Sequence, residues 1–415
     1  MKGLKEIASR NNWDLKLISD VVFFQEGPGV RKHQYTSKGV KLLNVTNILD
    51  GKLDLDATDR YISKEEAYGK YKHFLVDEGD LLIACSGIQI SYFDKKIAFV
   101  SSEHLPLCMN TSTMRFRTNN ENELNIKYFY YFLKSNYFKK QLARQITGSA
   151  QLNFGPSHIK KMFIIIPEIE YQIKLSKILD IITKLIKIRK EQIQAYDDLI
   201  ESLFFDMLQS ELIYDNIEYS KLGDLTSHIS SGSTPRGGSS VYKSVGIPLI
   251  RSQDVKMNNL DYSNVVYIDT ETHDKMKRSK LKNRDVLLNI TGASIGRTAV
   301  FYGEDNSANT NQHVAAIRLK DEKVSPEFLS FYFSTEYFQA IIKNISSGGT
   351  REALNYKQIR EFDIPLISKI KQEKFIKNKE KIEEEKKKLK SSLKELENLF
   401  DALMQDAFSG NLFKD

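Results

Sequence analysis

Apolar residues recur at alternating steps of three and four along two long stretches of this chain. Leu175, Ile178, Ile182, Leu185, Arg189, Gln192, Tyr196, Leu199 and Leu203 form one series; Ile382, Lys386, Leu389, Leu393, Leu396, Phe400 and Leu403 form the other. This rhythm is the heptad seam of a helix that packs along another helix. No proline interrupts 171–210 or 369–409, and Ser409-Gly410 supplies a stop. The pattern therefore predicts two helices, each roughly 50–60 Å long at ~1.5 Å per residue. Each needs a partner for its apolar stripe, and the other can be that partner. The long intervening segment permits a parallel or an antiparallel pair; two equivalent units packed about a two-fold axis make it antiparallel. Arg189, Gln192 and Lys386 are polar seam positions, which fix register or face another subunit. Near the helix ends, Phe204, Phe205, Met207, Met404 and Phe408 exceed what one seam requires. They either cap the neighbouring domains or form a docking patch.

Outside these helices the pattern shortens. Val76 to Ala84 reads as a turn into a buried strand, and Arg284 to Ile290 reads the same way. The stretches 126–142 and 325–342 read as helices, with Tyr128, Phe132, Phe328 and Tyr332 as core aromatics. These pairs belong to a wider repetition. Asp80-Leu81-Leu82-Ile83 returns as Asp285-Val286-Leu287-Leu288, and Asn110 with Arg115-Phe116-Arg117 returns as Asn311 with Ala316-Ile317-Arg318. Gly148-Ser149 then Leu152-Asn153 matches Gly348-Gly349 then Leu354-Asn355; Ile166-Pro167 matches Ile364-Pro365, Gln172 matches Gln372, and Leu203-Phe204 matches Leu399-Phe400. Each match alone is weak, but together, in one order, they mark two diverged copies of a unit. The expected fold class is α/β (α+β): two α/β domains in a tandem pseudo-two-fold repeat, separated by two long helices forming an antiparallel coiled coil. The boundaries expected are an N-terminal extension at 1–14, a first domain at 15–167, a central helix at 168–212, a second domain at 213–366 and a C-terminal helix at 367–415.

Composition narrows the class. With 41% hydrophobic and 28% charged residues over 415 positions, the chain is globular and disorder is excluded. Lys+Arg 61 against Asp+Glu 54 leaves +7, which permits a polyanionic partner without requiring one. Two cysteines, Cys85 and Cys108, are too few for a disulfide framework or a four-thiolate metal site. They are either buried free thiols or a single bridge. No apolar run approaches the ~18 residues of a membrane span, and the first residues lack the apolar core of a signal peptide. A cytoplasmic location follows as an expectation.

Catalytic motifs are absent. There is no phosphate loop, no Asn-Pro-Pro-aromatic motif, no H-E-x-x-H and no nucleophile elbow, and the seven histidines lack metal spacing. Polar and basic residues on predicted loops remain, in both copies. Ser231-Gly232-Ser233-Thr234-Pro235-Arg236 offers small hydroxyls, free N–H groups and a guanidinium suited to phosphate. Ser233, Thr234 and Arg236 are candidates there, with Arg251, Gln253, Arg297, Asn311, Gln312 and Arg351 able to reach base edges. The corresponding places of the first copy hold Arg31, Lys32, Lys41, Asn44, Gln89, Tyr92, Asn110 and Gln151. Singly, each also fits an ordinary loop residue; as a set repeated in both copies they suggest a ligand surface. The lysine-rich start of the last helix, 369–390, reads as a solvated face with i,i+4 pairs.

The chain resembles the specificity subunit of Type I restriction–modification systems. The resemblance rests on Ser231-Gly232-Ser233-Thr234-Pro235-Arg236 followed by Ile247-Pro248-Leu249-Ile250-Arg251, and on Thr291-Gly292-Ala293-Ser294-Ile295-Gly296-Arg297. Gly148 to Asn153 with Ile166-Pro167 and Gln172, and the ending Ala407-Phe408-Ser409-Gly410, also fit. The first copy departs: Gly27-Pro28-Gly29 and Gly87-Ile88-Gln89-Ile90-Ser91 replace the two glycine loops. What the resemblance implies is a non-catalytic subunit whose two target-recognition domains each read one half of a bipartite, asymmetric double-stranded DNA target. It further implies docking of two methyltransferase subunits, which use S-adenosylmethionine, and of restriction/translocase subunits, which use ATP and Mg²⁺; the chain itself binds no cofactor and no metal. The alternatives are a specificity module of a related methyltransferase or nuclease system, an enzyme acting on DNA through an unrecognised site, and a coiled-coil scaffold.

Overall fold

The computed structural model describes residues 2–146, 152–214, 217–235, 237–346 and 353–413, and the chain forms two compact units. The first comprises Met1–Lys190 and Ser391–Asp415, the second Glu191–Lys390. Both are α/β, and their strand topologies repeat.

In the first unit, Val22–Glu26, Thr113–Thr118, Leu81–Ala84 and Ile97–Phe99 form an antiparallel sheet in that order. The second unit repeats it with Thr226–Ser231, Val314–Leu319, Val286–Asn289 and Thr298–Val300. A smaller sheet pairs Val40–Leu43 parallel to Leu107–Met109 and antiparallel to Tyr61–Ile62; its counterpart pairs Ile247–Ile250 with Asn309–Thr310 and Val266–Ile268 in the same senses. The buried strands Leu81–Ala84 and Val286–Asn289 follow tight turns, as their sequences predict. Their leading carboxylates, Asp80 and Asp285, are buried, and each receives a two-pronged guanidinium, from Arg117 and Arg318 respectively. The fork geometry and the backbone N–H of Asp77 or Lys282 satisfy the buried charge.

The aromatic helices depart from expectation in one respect. Each is two helices, Ile126–Lys134 with Asn136–Gln145, and Pro326–Ser334 with Glu336–Ser346. Ser135 and Thr335 sit between them in extended backbone, and their hydroxyls accept from the N–H groups of Phe138 and Phe338. A hydroxyl that caps the next helix competes with continuing the first, which breaks an otherwise uniform apolar rhythm. Tyr128, Phe132, Phe328 and Tyr332 are buried.

Two long helices run Ile169–Tyr214 and Lys369–Ser409. Inside the first unit, Tyr171 near the start of one donates to Ala407 O near the end of the other, and Lys190 meets Glu397 at 2.8 Å. Inside the second, Asp197 pairs with Lys386 and Phe204 packs edge-on to Phe375 at 5.2 Å. In each unit the helix segments are therefore antiparallel. The seam of the C-terminal helix follows the predicted positions, but that of the central helix is shifted on alternate steps. Leu175, Leu179, Ile182, Ile186, Arg189, Ile193, Tyr196, Ile200, Leu203 and Met207 are buried or half-buried, whereas Leu185, Gln192 and Leu199 are exposed. This helix carries apolar residues on two faces, so spacing alone could not choose between them. Lys386 is buried on the seam; burial alone would pull its ammonium down, but hydrogen bonds from it to Asp197 and Glu383 leave it above its ordinary value. Phe204 and Phe408 are fully buried against Phe328 and Tyr128, and Met207 and Met404 are also buried, so these residues cap the domains. Phe205 is exposed. Cys85 and Cys108 are buried free thiols; burial raises both, Cys108 to about 12.

One side chain in each unit joins domain to helix. Gln172 Oε1 accepts the Asn125 N–H at 2.9 Å, while Nε2 donates to Glu123 O at 2.9 Å and Pro167 O at 2.8 Å. Gln372 repeats this with Ser325 N–H at 2.9 Å, Lys323 O at 2.8 Å and Ile367 O at 2.7 Å. These partners also correct the alignment of the copies. Ile367, not Pro365, occupies the place of Pro167, and Leu354, whose N–H bonds Ile290 O, matches Phe154, whose N–H bonds Cys85 O. Tyr171, the residue before Gln172, packs edge-on to Trp13, the single tryptophan, at 4.9 Å. Gln172→Leu leaves three backbone groups at this junction without their partner and should destabilise the first unit by about 2–3 kcal/mol, read as a lowered urea midpoint in Trp13 fluorescence. A shift equivalent to less than ~0.5 kcal/mol would show that the contact does not hold the unit together.

Candidate nucleic-acid interface

In the second unit, the loop after Thr226–Ser231, the segment after Val286–Asn289 and the turn before Val314–Leu319 converge at one edge of the large sheet. Gly232 N–H donates to Asn311 O at 3.0 Å, and Ile290 N–H donates to His313 O at 2.9 Å. Gly232 permits the first contact: a Cβ there would lie 1.6 Å from Thr310 O. Beyond it, Thr234 Oγ1 donates to Gln312 Oε1, Gln312 Nε2 lies 2.8 Å from His313 Nε2, and His313 Nδ1 meets Thr291 Oγ1. Tyr356 Oη accepts the Ser231 N–H at 2.8 Å and closes the rim. The turn at 251–254 adjoins this edge, because Asn311 N–H donates to Ile250 O at 3.1 Å and Asn289 Nδ2 donates to Ser252 O at 2.8 Å.

The sequence-predicted residues of this unit divide by exposure. Ser233, Thr234, Gln253 and Gln312 are exposed, Arg297 is half-buried, and Asn311 is buried with its Oδ1 accepting the His313 N–H. Arg251 is directed inward: Nε lies 3.2 Å from Asp254 Oδ2, and the guanidinium also donates to Asn264 O. Arg236 and Arg351 lie outside the described residues. His313, Thr291 and Tyr356, which knit the edge, were not selected from sequence. Their signal is only adjacency to a candidate or to a capping asparagine, which lone side chains in a loop do not advertise.

The first unit builds the same edge with other side chains. Gly27 occupies the place of Gly232: its N–H donates to Thr113 O at 2.9 Å, and an added Cβ would lie 2.2 Å from Asn110 O. Asn110 and Asn44 are both buried, and Asn110 Nδ2 donates to Asn44 Oδ1 at 3.2 Å. Asn44 Oδ1 also accepts from Arg60, whose guanidinium lies over the Tyr35 ring; Arg60 is exposed and was likewise not selected. Lys41 is buried, 3.2 Å from Tyr61 Oη. Arg31, Lys32, Gln89 and Tyr92 are exposed, and Gln151 lies outside the described residues. The glycine loop of the second unit is here a strand, Ser86–Ile88, followed by a 3₁₀ helix, Ile90–Lys96, in place of the short turn Gly292–Ser294. Lys96 pins this insertion by donating to Ile48 O at 2.7 Å; burial pulls its ammonium down, with Asp50 opposing.

Both edges thus present hydroxyls, amides and cations on a rigid frame, with functional groups suited to phosphates and base edges. Among the described residues no cluster of three or more His, Cys, Asp or Glu could hold a metal, and no helix is long and apolar enough to cross a membrane.

Comparison with known proteins gives a consistent result. The family model for the Type I restriction modification DNA specificity domain matches residues 10–195 and again 214–397. The EcoBI Type I restriction enzyme specificity subunit of Escherichia coli is 29% identical over 171 residues, 40% of this chain and 36% of that protein. The MjaVIII specificity subunit of Methanocaldococcus jannaschii is 22% identical over 208 residues, 50% of this chain and 48% of that protein. The chain thus aligns with less than half the length of each of these relatives. Among solved structures, the S subunit of a Type I restriction–modification system from M. genitalium superposes with a TM-score of 0.56 at 15% identity, covering 96% of both chains. A chain from a study of type I R-M complex assembly and conformational transition gives 0.57 at 17% identity, covering 96% of this chain and 98% of that one. These structures share the fold. By its two family matches, which together span most of its length, the chain belongs to the Type I restriction modification DNA specificity domain family.

Proposed function

We propose that this chain is the sequence-reading, non-catalytic subunit of a cytoplasmic Type I restriction–modification assembly. Each recognition domain reads one half of a bipartite, asymmetric double-stranded DNA target. Two methyltransferase subunits dock on the long helices and supply S-adenosylmethionine-dependent adenine methylation; restriction subunits add ATP- and Mg²⁺-dependent translocation and cleavage. The observation that carries this reading is the loop edge built twice on one hydrogen-bonded frame with different side chains. A common frame with divergent tips is what two readers of different half-sites require. Ser233, Thr234, Gln253, Gln312, Gln89 and Tyr92 are assigned to direct contact, Arg31, Lys32 and Arg236 to phosphate, and Arg297 to the surrounding rim; Arg351 and Gln151, outside the described residues, keep the DNA-contact role their residue types suggest. Lys41, Asn44, Asn110, Arg251 and Asn311 frame the loops from inside.

The helices keep an apolar surface for docking after the seam is formed. In the first unit Ile181, Leu185 and Ile188 are exposed at helical spacing on the central helix, and in the second Leu199 is exposed on the same helix. The double substitution Ile181→Asp with Leu185→Asp should lower methyltransferase stoichiometry in native mass spectrometry while the thermal transition of the free chain stays put. Two methyltransferases still bound would move the docking surface elsewhere.

Modularity is tested by exchange. Replacing 15–167 with the corresponding domain of another specificity subunit should change one half of the methylated motif and leave the other intact; changes in both halves would refute modular reading. At the residue level, Arg31→Ala with Lys32→Ala should weaken binding to every sequence alike and reduce the log–log salt slope by about 0.9 per lost phosphate contact. An unchanged slope would remove both residues from the phosphate contacts.

A further inference from the structure

Both ring nitrogens of His313 are engaged, with Gln312 on one side and Thr291 on the other. Thr234 Oγ1 donates to Gln312 Oε1, so the Gln312 amide is held at both of its heavy atoms. With Nε2 of the amide donating, His313 Nε2 accepts, which places the ring hydrogen on Nδ1 facing Thr291 Oγ1. The root of the imidazole is fixed as well, since His313 N–H donates to Asn311 Oδ1 at 3.0 Å and His313 O accepts from Ile290 N–H at 2.9 Å. Three separate loops thus converge on one exposed side-chain amide. A long glutamine at a loop tip otherwise samples many rotamers, and freezing it on binding costs conformational entropy.

We infer that His313 is a positioning residue for specificity: with Thr291 and Thr234 it pre-orients the Gln312 amide to read one A·T pair in the half-site of the second recognition domain. The arrangement leaves Gln312 one Nε2 hydrogen and one Oε1 lone pair. That donor–acceptor pair complements the N7 acceptor and N6 donor of adenine in the major groove. The first unit has Thr111 and Ser112 at the matching turn, so the device belongs to one reader alone. This inference rests on the proposed role of the loop edge in DNA reading.

The test uses the chain co-assembled with its methyltransferase subunit, modifying a plasmid library randomised in both half-sites, with modified bases read by sequencing. Gln312→Ala should relax a single A·T position of one half-site roughly tenfold or more. His313→Leu should relax that same position and leave the other half-site unchanged. His313→Gln, whose amide can accept from Gln312 and donate to Thr291, should restore the preference. Thr291→Val, which removes the partner of Nδ1 without touching either amide, should relax the position partially and covers the case in which His313→Leu does not fold. If Gln312→Ala leaves the motif unchanged, the reading role of this edge fails and the inference fails with it. If Gln312→Ala relaxes the position but His313→Leu and Thr291→Val do not, the reading stands and the positioning role is overturned. Relaxation at several positions, or uniform loss of methylation in a folded His313→Leu chain, also overturns it.

Discussion

The buried glutamine at the start of each long helix is the contact on which the architecture depends. A recognition domain could hang from a helix by apolar contacts alone, but such contacts are non-directional and tolerate rotation. Gln172 and Gln372 instead satisfy one backbone N–H and two carbonyls at the junction of strand, aromatic helix and long helix. Three directed hydrogen bonds from a fully desolvated amide leave one orientation without an unpaired polar group. The angle of each domain on its own helix is therefore fixed by backbone chemistry that does not vary with the loops.

This separation lets the loop edges diverge. The frame elements recur in both copies: the carboxylate–guanidinium forks at Asp80 and Asp285, the close-approach glycines at Gly27 and Gly232, and the capping hydroxyls at Ser135 and Thr335. The tips do not recur. Beneath the tips the inward-facing supports differ as well: Asn44 with Asn110, backed by Arg60, in the first unit, and Arg251 with Asp254 in the second. A longer 3₁₀ segment, Ile90–Lys96, carrying Tyr92, replaces the three-residue 3₁₀ turn Gly292–Ser294. Side chains on the frame are buried and determined by packing, whereas side chains at the tips are free to change without disturbing the core.

How much of this was legible follows the same division. The duplication, the antiparallel helices and the buried aromatic stripes could be read because burial imposes periodicity on sequence. The broken helices could not, because a serine or threonine inside an apolar rhythm looks like a solvent-facing residue until its cap is seen. In the central helix, positions 175, 182, 189, 196 and 203 belong to both possible registers, and only packing selects Leu179 and Ile186 over Ile178 and Leu185. At the loop edge, residue type pointed to a ligand surface but not to direction. Arg251 and Asn110 carry the same donors as a base reader, yet their partners lie inside the domain. Gly27 showed the opposite: Gly27-Pro28-Gly29 differs in sequence from Gly232-Ser233-Thr234-Pro235, but the same close approach to the neighbouring turn demands glycine in both.

On the proposed reading, two frames of one design carry two different readers. The most direct measurement is a base-resolution map of methylated adenine on DNA modified by the chain assembled with its methyltransferase partner. The expected result is one motif made of two unlike short halves separated by a fixed run of unspecified bases, with half-centres about one helical turn, roughly 34 Å, apart. A single uninterrupted motif, or two identical halves in a palindrome, would contradict it.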